Sequence, residues 1–354
     1  MFYQSSGPEN PSQAPGDSSA GQEGDPSKPG SGDLDAGRRL TMPVGRFLID
    51  LPGGARAWFG RQGFNEAGSF IQSLPVRAAG TAKAMVVAQV EALEVPHEEG
   101  GTRLERVLEG HRPHSWFIYF WKDTAFKDEM LELNGYFWRE GLLFIFRNSC
   151  RAEPAAMSRR AERLEAMFSQ VRRRSPLEIP QGPGFCLQEA YFPGRAVRCS
   201  DEHIELLVKF PARPGLSMRF CTDTVGELIT HYPPLLEREA KGWFPRRLRG
   251  GERLRAGERP VGPFSGQELV QRVQAPDGGT GWNFTWECLG RPRDPLWPLL
   301  LLEMQARCGD PGPGLLAERE AVRIWEGVLA SLRRRENFAR SLRLSDHFRS
   351  SWSM

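Results

Sequence analysis

Six cysteines, six histidines and a scatter of paired acids are the residues from which chemistry could be built, and their spacing assembles none of it. Cys150, Cys186, Cys199, Cys221, Cys288 and Cys308 contain no C-x-x-C pair, so a structural zinc site is not indicated. In a chain this long they read as buried free thiols, with Cys199 and Cys221, expected in one sheet, the pair to test for a disulfide. His111 and His114 have an interval that could serve a metal on a helix, but Pro113 between them opposes the helix and leaves loop histidines. The acids Glu98, Glu99, Glu237 and Glu239 fall in polar or helical contexts and read as solvated faces rather than general acid–base pairs. The chain has no G-x-S-x-G elbow, no H-E-x-x-H and no glycine-rich phosphate loop in its expected form. No catalytic residue, metal or cofactor is therefore expected, and the chain is read as a non-enzyme; an undescribed hydrolase is the alternative.

A different kind of segment looks made for contact. KGWFPRRLRGGERLR, Lys241 to Arg255, sets two aromatic residues before a run rich in arginine. Trp243, Phe244, Arg246, Arg247 and Arg249 are the candidate partner-binding residues, because tryptophan and arginine are favoured at interface hot spots. A solvated, idle loop is the competing reading. Trp282, Phe284 and Trp286 share one face of an expected strand and read as core, with an exposed aromatic patch as the alternative.

Composition narrows the classes. The 47 basic and 44 acidic residues leave a net charge of +3, which offers no electrostatic case for nucleic acid. No apolar run reaches the roughly 18 residues that a membrane-spanning helix needs. Met1 to Asp50 shows no basic and then apolar signal-peptide pattern, which by itself points to the cytoplasm unless a signal lies upstream.

The elements that must position these residues fall into two similar sets. Leu164, Met167, Phe168 and Val171 recur at helical spacing ahead of Arg172, Arg173 and Arg174; Ile324, Trp325, Val328, Leu329 and Leu332 do the same ahead of Arg333, Arg334 and Arg335. Each triple arginine is expected in the last turn of its helix, where positive charge is favoured. The fold expected is α+β: two tandem, related domains, each a mainly antiparallel sheet packed by a C-terminal helix. The boundaries are a disordered leader at 1–38, a domain at 39–176, a second at 177–335 and a tail at 336–354. Deleting 1–38, too polar to bury a core, is expected to leave the unfolding midpoint unchanged. Gly45 to Pro52 is read as a strand turned by Gly53-Gly54 into a hairpin with 55–64, Thr81 to Val95 as a helix, and Thr102 to Glu109 as a second short helix. Strands are expected at Ser115 to Trp121, in a hairpin about Arg139-Glu140, at His203 to Phe210, Leu216 to Asp223, Gln267 to Val273, Trp282 to Cys288 and Leu296 to Ala306.

Several stretches together carry a resemblance. They are GRFLIDLP, GPGFCL, PARPGLSMRF, RRLRGGERLRAGE, the F-x-W-E-C-x-G strand at Phe284 to Gly290, and IWEGVLASLRRR. In this order and spacing, over residues 41–335, they resemble the type VI secretion lipase-immunity proteins. The resemblance implies a two-domain inhibitor that clamps a cognate phospholipase effector, in the periplasm, without catalytic residues of its own. A scaffold or adaptor that does not inhibit is the remaining alternative.

Overall fold

The computed structural model describes residues 39–65, 70–96, 101–122, 130–194, 201–227, 231–243, 251–274, 279–308 and 316–335. The leader, the tail and Cys199 lie outside the described residues.

Gly45 and Arg46 form the first turn, not Gly53-Gly54. Gly45 has φ +56°, and a Cβ there would come within 3.0 Å of the Phe185 ring, so glycine is required. The turn joins β1 (Arg39–Val44) to β2 (Phe47–Pro52), and these two strands pair with each other. The expected partner of β2, now β3 (Arg56–Asn65), pairs elsewhere. The chain continues through β4 (Phe70–Pro75), α1 (Ala79–Glu94), β5 (Leu104–Glu109) and β6 (Ser115–Phe120). It goes on to β7 (Met130–Arg139), β8 (Leu142–Arg151), α2 (Pro154–Phe168) and β9 (Arg172–Arg173). The segment read as a short helix is thus the strand β5, held by its pairing with β6. The Arg139-Glu140 hairpin lies where it was expected, with Glu140 and Gly141 at φ 51° and 78°, the positive pair a tight hairpin turn needs.

The second set repeats this order. A hairpin, β10 (Gly184–Cys186) and β11 (Ala190–Pro193), precedes β12 (Asp201–Lys209), β13 (Leu216–Asp223) and a short α3 (Leu235–Ala240). Then come β14 (Glu252–Val261), β15 (Phe264–Gln274), β16 (Thr280–Cys288), β17 (Leu299–Cys308), α4 (Glu318–Ser331) and β18 (Arg333–Arg334). The five-stranded sheet runs β5-β6-β7-β8-β4. The seven-stranded sheet runs β14-β15-β16-β17-β13-β12-β3, so its first five strands repeat the first sheet one for one. The equivalent strands β3 and β12 pair with each other, antiparallel, and tie the two repeats together.

The hairpins are exchanged between the repeats. β18, at the end of the second repeat, pairs with β2 of the first; β9, at the end of the first, pairs with β11 of the second. Neither triple arginine lies in a helix: α2 stops at Phe168 and α4 at Ser331, and the arginines are extended because their backbone bonds to a hairpin edge.

The core follows the exchange. Phe168 of α2 stacks on Phe137 at 4.3 Å and meets Phe192 of the second hairpin at 5.7 Å. Phe47 of the first hairpin packs on Phe220 and Phe264 of the second repeat at 6.3 and 5.8 Å. β6 reads as a continuous apolar run because α1 covers one face of its sheet and α2 the other, through Trp116 and Ile118 on one side and Phe117 and Tyr119 on the other. Trp282, Phe284 and Trp286 are all core. Trp325 is fully buried on α4, lies 5.5 Å from Phe284 and donates to Glu268 at 2.6 Å. Trp325→Ala is expected to cost about 3–5 kcal/mol for the lost aromatic, plus part of the ~1–3 kcal/mol of a carboxylate deprived of a donor. Urea unfolding measures it; a cost below ~1 kcal/mol would show that the site collapses around the gap.

Candidate functional site

The two hairpins meet where their turns touch. Gly45 and Cys186 exchange backbone hydrogen bonds at 3.0 Å each way. The third arginine of each triplet locks this junction. The Arg174 N–H donates to the Glu189 carbonyl and the Arg335 N–H to the Arg46 carbonyl, at matching places in the two hairpins. The Arg174 guanidinium, 3% exposed, donates to carbonyls of Leu187, Ala190, Pro176 and Glu178 and reaches across to Pro43 of the first hairpin. Arg335, also 3% exposed, reaches the other way, to the carbonyls of Gly182 and Gly184 and the thiol of Cys186. Two more ties cross the repeats. Arg46 at the first turn forms a buried ion pair with Glu202 of β12, and the Gln188 N–H in the second turn donates to Gln62 of β3.

Beside the junction, a cleft of about 670 Å³ opens between β9, the linker 175–183 and the end of β11. Arg172, Arg173, Pro180, Tyr191, Pro193 and Gly194 are among its walls. The linker also presents Leu177 and Ile179 to solvent, 48% and 38% exposed. A second concavity of about 370 Å³ lies by Trp297, Arg291 and Glu287 in the second repeat, where burial raises the Glu287 carboxyl pKa and Arg238 opposes that only in part. A third, about 500 Å³, contains His111 and His114 beside Trp116.

Of the residues chosen from the sequence, Trp243 is described and stands 59% exposed just after α3, its ring capped by the Lys241 ammonium at 5.1 Å. Phe244, Arg246, Arg247 and Arg249 lie outside the described residues. Arg253 and Arg255, the end of the same basic segment, belong to β14 and are paired with Glu239 and with Glu268 and Glu326. Arg172 and Arg173, which line the cleft beside the junction, were read from the sequence as a helix end. Their recurrence after a second apolar stripe was the available signal of a shared role.

Four of the six cysteines are withdrawn from nucleophilic chemistry. Cys150, Cys186, Cys221 and Cys288 are buried free thiols. Burial raises the pKa of each, that of Cys221 to about 12, so they stay protonated at neutral pH. Cys221 is therefore free rather than one half of a disulfide. Among the described residues no group of three or more histidine, cysteine or acidic side chains could hold a metal. No described helix is long and apolar enough to cross a membrane.

A duplicated, interlocked α+β protein with basic and aromatic concavities at its surface is the class that these features define. Residues 178–337 match the model of the Tle cognate immunity protein 4 C-terminal domain. Three solved structures are similar over 86% of this chain and 99% of theirs. They are the immunity protein TplEi of the type VI secretion system of Pseudomonas aeruginosa (26% identical, TM-score 0.70), a Tle4-Tli4 complex (26%, 0.67), and TplEi complexed with an "L" peptide (25%, 0.63). No curated protein sequence matches. By these matches residues 178–337 are similar to the C-terminal domain of a type VI secretion immunity protein, and the chain is similar in fold to solved immunity proteins of that system.

Proposed function

We propose that this protein binds a cognate phospholipase effector of a type VI secretion system and inhibits it in the periplasm, acting as a stoichiometric inhibitor without catalysis. The observation that carries this reading is similarity, over nearly the whole of the relative's length, to the structure of a Tle4-Tli4 complex. The buried, protonated thiols support the non-catalytic part. The units at 39–176 and 177–335 act together as the jaws of a clamp. The exchanged hairpins support this, since an interlocked pair of units holds a fixed mutual geometry and loses little freedom on binding. Trp243, with Phe244, Arg246, Arg247 and Arg249 after it, supplies contacts on the second jaw.

The test mixes the purified protein with the candidate cognate lipase effector and follows esterase activity. Inhibition is expected to be complete at a one-to-one ratio, and full activity at saturating protein would overturn the reading. Trp243→Ala is expected to weaken binding by at least about tenfold, the effect of truncating an aromatic anchor, with an unchanged melting midpoint because the ring is exposed. Unaltered affinity would remove Trp243 from the interface.

A further inference from the structure

The duplication supplies an internal comparison for the arginines at the cleft. β9 sets Arg172 opposite Tyr191 and Arg173 opposite Ala190; β18 sets Arg333 opposite Leu48 and Arg334 opposite Phe47. Position 48 therefore corresponds to 191, and 50 to 193. In the second repeat, Arg333 forms a two-pronged ion pair with Asp50, both distances 3.0 Å. Burial alone would raise the Asp50 carboxyl pKa, but the hydrogen bonds from Arg333 and Thr41 outweigh it and hold it below the ordinary value. In the first repeat the place of Asp50 is taken by Pro193, whose side chain accepts nothing. Arg172 is exposed, and its guanidinium has no hydrogen bond or ion pair among the described residues. The second arginines differ in the same sense. Arg334 stacks on Trp297 and Phe264 at 4.2 and 4.9 Å, whereas the Arg173 guanidinium, among the described residues, donates to the Glu140 carbonyl at 2.8 Å. Where the second copy has a carboxylate, the first has the open cleft. Glu178, the one acid among its described lining residues, accepts the Ser175 N–H at 3.1 Å.

We propose that this cleft seats an acidic, extended segment of the effector, an aspartate or glutamate carboxylate taking at Arg172 the place that Asp50 takes at Arg333. The proposal rests on the lipase-immunity reading above. A planar guanidinium matches a carboxylate with two parallel hydrogen bonds, which fixes orientation as well as charge. A protein segment fits better than a free phosphate or a lipid headgroup for two reasons. Pro180, Pro183 and Pro193 put apolar surface beside the arginines in the wall of the cleft, and β9 is the edge strand of its three-stranded sheet, offering backbone to an extended chain.

The experiment compares effector binding by the full chain, by Arg172→Glu/Arg173→Glu and by Pro193→Asp, at low and at physiological salt. Pro193→Asp installs the internal carboxylate of the other repeat, so it is expected to fill the site while preserving or raising the melting midpoint. Both variants are expected to bind about thirtyfold or more weakly, the hot-spot threshold. The charge reversal should also slow association most at low salt, where steering is strongest. If both variants bind and inhibit like the wild type, the cleft proposal is overturned and the immunity reading stands. If the wild type itself leaves the lipase active, both fall. Inorganic phosphate and anionic vesicles are run beside the effector: loss of their binding in the variants, with effector affinity unchanged, overturns the protein-segment assignment in favour of a simple anion site. If the charge reversal fails to fold, Pro193→Asp decides alone.

Discussion

Cut between Pro176 and Leu177, the chain is expected to give two fragments of which neither folds alone, and which regain the native fold when mixed. The reason is the exchange of hairpins. A fragment 177–335 lacks β1 and β2, and β2 is the strand against which α4 packs and with which β18 pairs. It would expose the surface now covered by Met42, Val44, Phe47, Ile49 and Leu51, all at most 3% accessible. At about 1.5–3 kcal/mol for each buried side chain, the loss is on the order of 10 kcal/mol, as large as the whole stability of an ordinary domain. A fragment 39–176 keeps its five-stranded sheet but leaves Arg174 without the Leu187 and Ala190 carbonyls, and Phe168 without Phe192. Its β3 also loses β12. Circular dichroism and heat unfolding of each fragment, then of the equimolar mixture, test this. A fragment 177–335 that unfolds cooperatively near the midpoint of the full chain would refute it. A design that prepends 39–52 to 177–335 should restore much of the second unit, since that segment carries the missing hairpin. The expectation also bears on the clamp: inhibition assays with halves cut at Pro176 would report misfolding as readily as a missing jaw.

What the sequence made legible and what it hid have one physical origin, the range of the interactions. Stripes such as Leu164, Phe168 and Val171, or the alternation of Trp282, Phe284 and Trp286, are local periodicities and were readable, as was the hairpin about Arg139-Glu140. The repeated triple arginine was readable as a sign of duplication. Its structure was not, because local reasoning favours positive charge in a helix's last turn, whereas an open hairpin edge, supplied by the other repeat, draws these residues into strands. β5 was missed for the same reason. Glu105, Arg106, Val107 and Glu109 are exposed and show no strand alternation, so pairing with β6 rather than patterning makes the strand. The candidate contacts were chosen by residue type, which finds Trp243 but cannot tell a solvent-facing arginine from one committed to Glu268 or Glu326. Arg172 stands out only when its counterpart Arg333 is seen to own a carboxylate.

Arg46→Ala is expected to be among the most destabilising single substitutions in the chain, at about 3–5 kcal/mol, because it strands a buried charge. Arg46, 4% exposed at the tip of the first hairpin, meets Glu202, 3% exposed in β12, with Nε to Oε2 at 2.6 Å. The pair joins residues 156 apart in sequence and helps hold the first hairpin in the second repeat. Burial raises the Glu202 carboxyl above its ordinary 4.5, and Arg46 is the group that opposes this. Without Arg46 only burial remains, so the folded state holds the proton more tightly than the unfolded chain does. Such a group stabilises the fold fully below about 4.5, the unfolded value, and that contribution is lost as pH rises through the raised folded value. The variant should accordingly lose stability, relative to wild type, between pH 4.5 and neutrality. Glu202→Gln in the Arg46→Ala background should recover part of the loss by removing the unpaired charge. Replacing the pair with Arg46→Met/Glu202→Leu should cost less than Arg46→Ala alone, since buried ion pairs exchange for apolar residues at small net change. Urea unfolding at pH 5 and pH 7 for the two singles and the double gives the coupling directly. Additive effects, or an Arg46→Ala penalty that does not change with pH, would mean that Glu202 finds water or another donor once Arg46 is gone.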